Sequence, residues 1–381
     1  MPASNPFHYG TPAEGDFFTG RHDELDALVS RMINGINVVL LSPRRYGKTS
    51  LHRAAQARLA RRRPAAAVIE VNVLRASGLS SLAAMLTAGA YRVPGGRWHR
   101  ARHAVPEFLR RLRVTPGVTF DAAGTPRFGF DTSLSLPDAE AVLGDVYALL
   151  ADEAERRPAA LVLDEFQAIT RHHPSLPDVL KGLADLYPRV SLVLAGSKRH
   201  LMEELVIHAQ APLYGMAQRL ALGPIPDTVM LDYLRGRAAQ GGRPFTEDAI
   251  PLLLGLAGPV PNDIQHLAFE AFELAVDAIN NVAVTAGMAR AVGHEAALFA
   301  ENLARLSPGQ GRVMVALATD RPDEPYGAAF ARRTGLASGS SVRKALQPLL
   351  VNEDVVERHE KLVVADPFFA AWLRAETPFR D

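Results

Sequence analysis

The sequence predicts an α/β protein in which a parallel β-sheet with crossover helices is followed by an all-helical region and a small helix-and-hairpin domain. Apolar runs separated by segments of helical periodicity are the pattern of parallel strands joined by crossover helices. These runs begin at Val38, Ala67, Leu161 and Val190. Strand signals end near Asp227, and a short alternating segment returns only at 355–364. These observations together define the predicted fold class.

Length and composition are those of an ordinary soluble globular protein with two or three domains. The chain has 381 residues, of which 48% are hydrophobic and 22% charged, and its formal net charge is +1. This balance produces no global field toward nucleic acid or membrane. With no cysteine, the chain has no disulfide and no thiolate metal site. Residues 1–16 lack the apolar core of a signal peptide, and no apolar run reaches membrane-spanning length, so we expect a cytoplasmic protein without a membrane partner.

The strand that begins at Val38 runs into a basic turn, and a helix predicted for Ser50 to Arg62 follows. The turn reads Ser42-Pro43-Arg44-Arg45-Tyr46-Gly47-Lys48-Thr49-Ser50. A buried strand, a curled loop and a helix N-terminus present backbone N–H groups to phosphate, so we interpret this turn as a phosphate-binding loop for ATP. Gly47 permits close backbone approach, Lys48 reaches the β- and γ-phosphates, and Thr49 places its hydroxyl on Mg²⁺.

Two features qualify this interpretation. Ser42 is at the position where the pattern G-x-x-x-x-G-K-[ST] has its first glycine, and a βα turn with a solvated lysine is the alternative.

Upstream, an irregular lead-in is predicted for residues 1–16, and Phe18 and Arg21 lie just before the first helix. Phe18 is either a core anchor for that helix or, with Arg21, part of the wall of an adenine pocket.

The α/β domain is predicted to span residues 17–224 and to contain a β-hairpin insertion within residues 114–136, around the turn at Gly124. Residues 92–113 are locally basic. The arginines of this segment are Arg92, Arg97, Arg100, Arg102, Arg110, Arg111 and Arg113, against one acid, Glu107. A solvated helix face and contact with nucleic acid or an acidic partner both stay open for this segment.

A second set of candidate residues stands at the ends of two later strands. The run Leu161-Val162-Leu163 ends in Asp164 and Glu165. The first acid is suited to orient Mg²⁺ and its waters and the second to polarise the attacking water, whereas two solvated acids are the alternative. Ser197 ends the strand from Val190. Because ligands collect at the carboxyl ends of parallel strands, we expect Ser197 beside Asp164, within reach of a γ-phosphate or its water.

The remaining chain predicts a helical lid domain over residues 225–300 and a winged-helix domain over residues 301–381. The lid is interrupted by Gly258-Pro259-Val260-Pro261-Asn262, which predicts a turn and a helix start. The winged helix has three helices and a two-stranded wing over 355–364. Arg343 and Lys344 lie on the outer face of its third helix. Because exposed charges of both signs are mixed, duplex DNA binding and protein contact both stay open.

These residues resemble the archaeal-type ATPase family, part of the STAND branch of AAA+-like P-loop NTPases and related to origin-recognition ATPases. The resemblance covers most of the chain. Its motifs are Phe18-Thr19-Gly20-Arg21, the loop from Ser42 to Leu51, Leu163-Asp164-Glu165-Phe166, Gly196-Ser197-Lys198-Arg199-His200, Pro212-Leu213-Tyr214, Gly258 with Pro261, and Asp366-Pro367-Phe368-Phe369 with Trp372.

The resemblance implies further roles at the matching positions. Ser197 would be a sensor of the γ-phosphate, and Pro261 would pack near the base. Phe18 and Arg21 would line the adenine side, and Arg219, which follows Pro212-Leu213-Tyr214, would be an arginine that completes the site.

We therefore expect an ATP-binding, slowly hydrolysing switch protein that uses ATP and Mg²⁺. ATP would bind between the α/β domain and the lid, and the γ-phosphate would bias the orientation of lid and winged helix. The alternative is a DNA-binding regulator that holds its nucleotide without turnover, supported by the winged helix and the basic segment 92–113. A protein-partner module in a defence or toxin system follows from the resemblance alone, and an oligomer stays open.

Overall fold

A computed structural model describes residues 4–62, 65–93, 104–130 and 134–376 of the chain. These residues divide into two compact units. The first comprises residues 12–224, and the second combines residues 4–11 with residues 225–376. In these described ranges, no helix is both long and apolar enough to cross a membrane.

The first unit is built from alternating strands and helices. Its strands are β1 (Val38–Leu41), β2 (Ala67–Asn72), β3 (Gly117–Phe120), β4 (Pro126–Gly129), β5 (Ala159–Asp164), β6 (Val190–Gly196) and β7 (Gln218–Ala221). Its α-helices are α1 (His22–Ile33), α2 (Lys48–Ala60), α3 (Leu79–Tyr91), α4 (Ala104–Leu109), α5 (Leu136–Ala154), α6 (Leu176–Leu186) and α7 (Arg199–Met202). Short 3-10 segments follow β2 and β5, at Val73–Arg75 and Phe166–Arg171, and a π-helical turn at Glu203–Ile207 follows α7.

A parallel sheet forms the centre of this unit, with the strand order β2-β5-β6-β1-β7. The predicted parallel sheet with crossover helices is thereby confirmed. β7 was not predicted, because its four residues are mostly exposed at the sheet edge and carry no apolar run. The register sets the carboxyl ends of the other strands level. Asn72 pairs with Asp164, Asp164 with Ala195, and Leu41 with Gly196.

Apolar clusters cover the two faces of the sheet. Because successive strand residues point to opposite faces, Ala160 and Val162 of β5 join the cluster around α1 and α2, whereas Leu161 and Leu163 join the cluster around α3, α5 and α6. Both β5 and β6 are buried along their full length. Burial on both faces explains why these strands appear in the sequence as unbroken apolar runs.

A separate antiparallel hairpin of β3 and β4 lies within the segment 114–136. Its turn is held by the Asp121 carboxylate, which accepts hydrogen bonds from the backbone N–H groups of Ala123 (3.0 Å) and Thr125 (2.9 Å). Gly124 adopts a positive φ of 74° in this turn, a conformation that favours glycine.

The second unit contains helices and one small hairpin. Its helices are α8 (Asp227–Gln240), α9 (Ala249–Ala257), α10 (Pro261–Leu274), α11 (Asn281–Arg305), α12 (Pro308–Thr319), α13 (Ala328–Thr334), α14 (Gly339–Val351) and α15 (Pro367–Glu376), and its strands are β8 (Val355–Arg358) and β9 (Lys361–Val364). One apolar cluster joins α8 to α11 with α12 to α15. Helix α11 continues through residues 300 and 301, where the sequence predicts a boundary, so the lid and the winged helix share one core.

The lead-in residues 4–11 pack along α10. Phe7 is 2% exposed and contacts the rings of Phe245 and Phe272, with centroids 6.2 and 6.1 Å apart. Tyr9 stacks on His266 at 4.0 Å. The lead-in is therefore irregular in its backbone, yet it contributes to the core of the second unit.

The C-terminal part has the winged-helix order of three helices and a hairpin, followed by α15. Gly335, with a φ of 63°, ends α13, and the Ser338 hydroxyl accepts a hydrogen bond from the Ser341 backbone N–H at the start of α14. Pro348 lies inside α14, which continues to Val351. The antiparallel strands β8 and β9 form the wing.

Candidate nucleotide-binding site

The loop between β1 and α2 carries the predicted phosphate-binding residues. Ser42 is 5% exposed, its backbone N–H donates to the Gly196 carbonyl (3.4 Å), and it is not among the residues with a positive φ. Arg45 and Gly47 have positive φ values of 68° and 90°, on either side of Tyr46. This alternation curls successive N–H groups toward one side. A Cβ placed on Gly47 would meet no atom within 4 Å, so the loop is open there and fits a phosphate group.

Asp164, the last residue of β5, is the centre of the site. It is 2% exposed. The Lys48 ammonium forms an ion pair with its Oδ1. Its Oδ2 accepts hydrogen bonds from Thr49 Oγ1 (3.2 Å) and from Asn72 Nδ2 (3.4 Å) at the end of β2. The level carboxyl ends of β2 and β5 and the N-terminus of α2 therefore converge on one carboxylate.

The electrostatics of the site keep Asp164 ionised. Burial by itself raises the pKa of this carboxyl group, because a buried charge loses its hydration. The contact with His52 and the charge of Lys48 lower the pKa by more, so that it lies well below its ordinary value. Asp164 is thus an anion at neutral pH, as a metal ligand must be.

Three side chains contact the Glu165 carboxylate. Its backbone has a left-handed φ of 53°, which turns the chain sharply after β5. Lys48 Nζ lies 3.1 Å from Oε1, while Ser197 Oγ (2.9 Å) and Gln167 Nε2 (2.5 Å) donate to Oε2. The structure thus brings the predicted residues Lys48, Glu165 and Ser197 together at the carboxyl edge of the sheet.

The residues present fit Mg²⁺ held together with a phosphate. Thr49 and Asp164 supply a hydroxyl and a carboxylate oxygen at one point, and hard oxygen ligands of this kind suit Mg²⁺, which keeps waters and takes phosphate oxygens for its other positions. In the described part of the chain, no three His, Asp or Glu side chains are grouped to hold a metal by themselves. This donor set therefore suits a metal that arrives with a nucleotide.

Arg21 contacts the loop, whereas Phe18 packs on the apolar core. Arg21 is 4% exposed, and its guanidinium donates to the Tyr46 carbonyl (3.3 Å) and to the Gly223 carbonyl, with an ion pair to Glu24 (3.0 Å). Phe18 is half-buried and packs on the core around α1 and α2. The Arg21 contacts brace the loop, and the packing of Phe18 on the core favours its interpretation as a core anchor.

The other predicted loop residues differ in exposure. Pro43, Arg44 and Arg45 are exposed and Tyr46 is half-buried. The Ser50 hydroxyl accepts a hydrogen bond from the Ala13 backbone N–H (2.9 Å).

Two predicted residues are not joined to this cluster by any hydrogen bond or ion pair of the described residues. Arg219 is on the edge strand β7, where its guanidinium donates to the Ile207 carbonyl (3.3 Å). No hydrogen bond or ion pair among the described residues joins it to Asp164 or Glu165. Pro261 is the first residue of α10, in the second unit.

The predicted basic surfaces are partly neutralised. In the segment 92–113, Arg97, Arg100 and Arg102 lie outside the described residues. Arg111 pairs with Asp152 (3.4 Å) and Arg113 with Asp145 (2.7 Å). In the second unit, the Arg343 guanidinium lies 4.8 Å from the centre of the Tyr326 ring, and Lys344 is exposed on α14.

Sequence reasoning missed Gln167, Asn72 and His52. Asn72 carries a detectable signal, because a polar residue that ends a buried strand lies at the ligand edge of a parallel sheet. Gln167 is a lone polar residue in the apolar stretch after Glu165, and His52 is a lone histidine on the buried face of α2. Single residues of this kind give no pattern by which to recognise them.

Together, this strand order, the loop after β1, the acids after β5 and the C-terminal helices and wing form a P-loop NTPase fold of the AAA+ type with a winged helix. Residues 297–375 match the family model of a probable winged helix domain. The predicted fold class is confirmed.

Solved structures share this architecture. A Walker-type ATPase of Pyrococcus abyssi is 19% identical, with 97% of this chain and 99% of that chain covered and a TM-score of 0.68. The Orc1 protein of Aeropyrum pernix, solved in complex with DNA, is 17% identical, with 95% and 94% covered and a TM-score of 0.51. A search of curated proteins gives no match. At the level of the fold, the resemblance to archaeal P-loop ATPases and origin-recognition proteins is confirmed.

Proposed function

We propose that the chain binds ATP with Mg²⁺ at the loop after β1 and hydrolyses it slowly to ADP and phosphate. The observation that carries this proposal is the convergence of Lys48, Thr49, Asp164, Glu165 and Ser197 at one edge of the sheet. Residues from three separate parts of the chain, which the sequence relates only through the order of its strands, form one hydrogen-bonded cluster beside an open N–H loop.

The roles of the binding residues follow from their contacts. The loop N–H groups and Lys48 would bind the phosphates, and Thr49 with Asp164 would hold Mg²⁺. When bound, Mg²⁺ neutralises charge on the phosphate oxygens. Lys48 is 6% exposed and contacts both acids, so it would exchange its contact with Glu165 for a phosphate contact.

Glu165 is the residue we assign to the attacking water. Released by Lys48, its Oε1 would be free to orient a water and accept its proton, while Ser197 and Gln167 keep Oε2 in place. Ser197 would also sense the γ-phosphate. We also propose Arg219 as an arginine that completes the site, since it is exposed and its guanidinium bonds, among the described residues, only to the Ile207 carbonyl.

We further propose that the nucleotide state acts as a switch on the second unit. The chain crosses between the units at residues 11–12 and 224–225. A residue next to each crossing is hydrogen-bonded to the loop or to the start of α2, either directly or through Arg21. Ala13 bonds to Ser50 in α2, and Gly223 bonds to Arg21, which also bonds to the Tyr46 carbonyl. A movement of the loop on binding phosphate would therefore reach both connections.

The test is ATP binding and phosphate release by the full-length wild type and by Lys48→Ala and Glu165→Gln variants. We expect Lys48→Ala to lose nucleotide affinity and Glu165→Gln to bind ATP while phosphate release falls by a factor on the order of 10² to 10⁴, the contribution of a general base. Unchanged turnover in Glu165→Gln would remove Glu165 from catalysis. Wild-type protein that binds no nucleotide would reject the whole proposal.

A second candidate function is a DNA-binding regulator with a nucleotide that is not turned over. It is supported by the winged-helix match and by exposed Lys344 on α14. Ion pairs of Arg333 with Asp320 and of Lys361 with Asp323 reduce the free positive charge of this domain.

The measurement that separates the two functions is duplex DNA binding at several salt concentrations, alongside phosphate release with and without DNA. A DNA affinity that falls steeply with salt and weakens in Arg343→Ala and Lys344→Ala would favour the regulator. No binding at low salt would reject it.

A further inference from the structure

A buried histidine, His52, lies next to Asp164, the proposed metal ligand. His52 lies in α2 one turn after Lys48, and its side chain is 1% exposed. Its Nε2 is 3.5 Å from Asp164 Oδ2, and its Nδ1 faces Gln56 Nε2 at 3.4 Å. The proposed phosphate, metal and water contacts do not involve this imidazole.

The neighbours of Nδ1 determine which ring nitrogen carries the proton. Gln56 Nε2 donates to Glu70 Oε2 at 2.8 Å and faces His52 Nδ1 with its second hydrogen. An amide NH₂ group only donates, so Nδ1 must accept. Glu70 Oε1, at 3.8 Å from Nδ1, is too far for a hydrogen bond. In a neutral imidazole, the proton is then on Nε2, the nitrogen that faces Asp164.

That N–H group has no hydrogen bond of normal geometry among the described residues. A buried donor without a partner costs about 1–3 kcal/mol, so its position needs an explanation. Its neighbour is the carboxylate oxygen that Thr49 and Asn72 also contact. A chain of contacts from Glu70 through Gln56 and His52 therefore ends at Asp164 Oδ2.

We propose that His52 is a positioning residue for Asp164 as a metal ligand, an inference that rests on the proposed function. The Nε2–H dipole, 3.5 Å from Oδ2, attracts this oxygen without a full hydrogen bond, and the packed imidazole limits the rotation of the carboxylate that Thr49 also contacts. Groups that orient a metal ligand in this way change metal affinity by about 10- to 100-fold when they are removed.

Two affinities contribute to nucleotide binding at this site, one for the nucleotide alone and one for Mg²⁺. Affinity for nucleotide without metal depends on the loop N–H groups and on Lys48 Nζ, and among the described residues the His52 side chain makes no hydrogen bond or ion pair to either. The Mg²⁺ concentration at which binding tightens depends on Asp164. Loss of His52 therefore raises the Mg²⁺ midpoint and leaves metal-free binding unchanged.

The experiment is binding of a fluorescent ADP analogue to the full-length chain, titrated with Mg²⁺ and repeated in EDTA. We expect His52→Leu to raise the Mg²⁺ midpoint by about tenfold or more and His52→Gln, which keeps an N–H donor, to recover most of the loss. His22→Leu is the matched control, because His22 is an exposed histidine of the same unit, and its midpoint should equal that of the wild type.

A folded His52→Leu protein with an unchanged Mg²⁺ midpoint would overturn the inference and leave the proposed function intact. If His52→Leu does not fold, Gln56→Met decides, because Gln56 is half-buried and its loss frees the imidazole to take the other tautomer. A raised midpoint in Gln56→Met supports the inference, and an unchanged one overturns it. A wild type without Mg²⁺-dependent nucleotide binding would overturn the proposed function as well.

Discussion

Asp164 in the first unit and Glu270 in the second are both 2% exposed and both contact cationic or hydrogen-bonding side chains, yet their surroundings differ. Asp164 lies at a strand end, beside an open loop. Glu270 lies on α10, with Arg290 Nε at 3.0 Å, His294 Nδ1 at 3.7 Å and His266 Nε2 at 3.8 Å.

A buried charge is therefore not in itself evidence of a ligand site. The partners of Glu270 come from α10 and α11, which pack side by side, so its charge serves helix packing. The partners of Asp164 come from α2 and from the end of β2, and they gather at the carboxyl edge of the sheet beside the open loop. A ligand is expected where the surroundings of the charge remain open, as they are at Gly47.

The largest expected effect is on turnover. We predict that Asp164→Asn lowers phosphate release at saturating Mg²⁺-ATP by a factor on the order of 10², because a metal ion contributes several kcal/mol to the transition state and each 1.4 kcal/mol is tenfold. Glu270→Gln, the matched change in the second unit, should leave release within about twofold of the wild type. Equal losses in both variants would contradict the distinction between the two carboxylates.

The free energy of unfolding should fall more on substitution of Glu270 than on substitution of Asp164. We predict that Glu270→Ala lowers the free energy of unfolding by about 1–3 kcal/mol, because it removes the buried partner of Arg290, whose own side chain is 39% exposed. Asp164→Asn should lower it by less, since Lys48 keeps its ion pair with Glu165. Urea unfolding of both variants measures the difference, and a more stable Glu270→Ala protein would show that the pair does not stabilise the fold.

Lowering the pH should remove the stability that ionised Asp164 contributes to the fold. Its pKa in the folded chain lies below the ordinary value, so the ionised group stabilises the fold above about pH 4, and this contribution is lost as the pH falls further. We predict that, without Mg²⁺, the wild type loses stability below about pH 4 more steeply than Asp164→Asn. Urea midpoints at a series of pH values test this, and parallel curves would mean that the pKa of Asp164 is not lowered.

A pair of glycines gives the smallest and most specific contrast. Gly47 and Gly258 both have positive φ, 90° and 68°. Alanine at Gly47, which is in the left-handed α region, is strained by about 1–2 kcal/mol, and alanine at Gly258, whose ψ is −165°, by about 1–3 kcal/mol. At Gly258 a Cβ would also lie 2.8 Å from Arg358 Nη1, whereas at Gly47 it would meet nothing within 4 Å. We predict that Gly258→Ala lowers thermal stability without changing nucleotide affinity, and that Gly47→Ala lowers nucleotide affinity. A reversed pattern in a binding titration and a thermal melt would contradict the assignment.

The main strands and the residues at their ends were predictable for a physical reason. β5 and β6 are covered on both faces, so they appear as unbroken apolar runs, and a parallel sheet brings their ends to one edge. Asp164, Glu165 and Ser197 could therefore be grouped before any contact was known. β7 could not be predicted, because an exposed edge strand of four residues needs no apolar pattern.

The rest depended on packing between distant segments. Phe7 has the same local sequence whether a lead-in is loose or packed, and only the space between Phe245 and Phe272 makes it a core residue. Likewise, one helix, α11, serves both the predicted lid and the predicted winged helix, because their apolar faces combine in one core.

The sequence by itself determined the parallel sheet, the glycine-containing loop after β1 and the acid pair, because apolar periodicity and the Gly47-Lys48-Thr49 motif are local properties of the chain. Only the tertiary structure decided that Gln167 donates a hydrogen bond to Glu165, that Arg21 donates one to the loop, and that His52 lies next to Asp164. A side-chain contact depends on the distance and orientation of groups far apart in the chain, and those are determined only when the helices pack on the sheet.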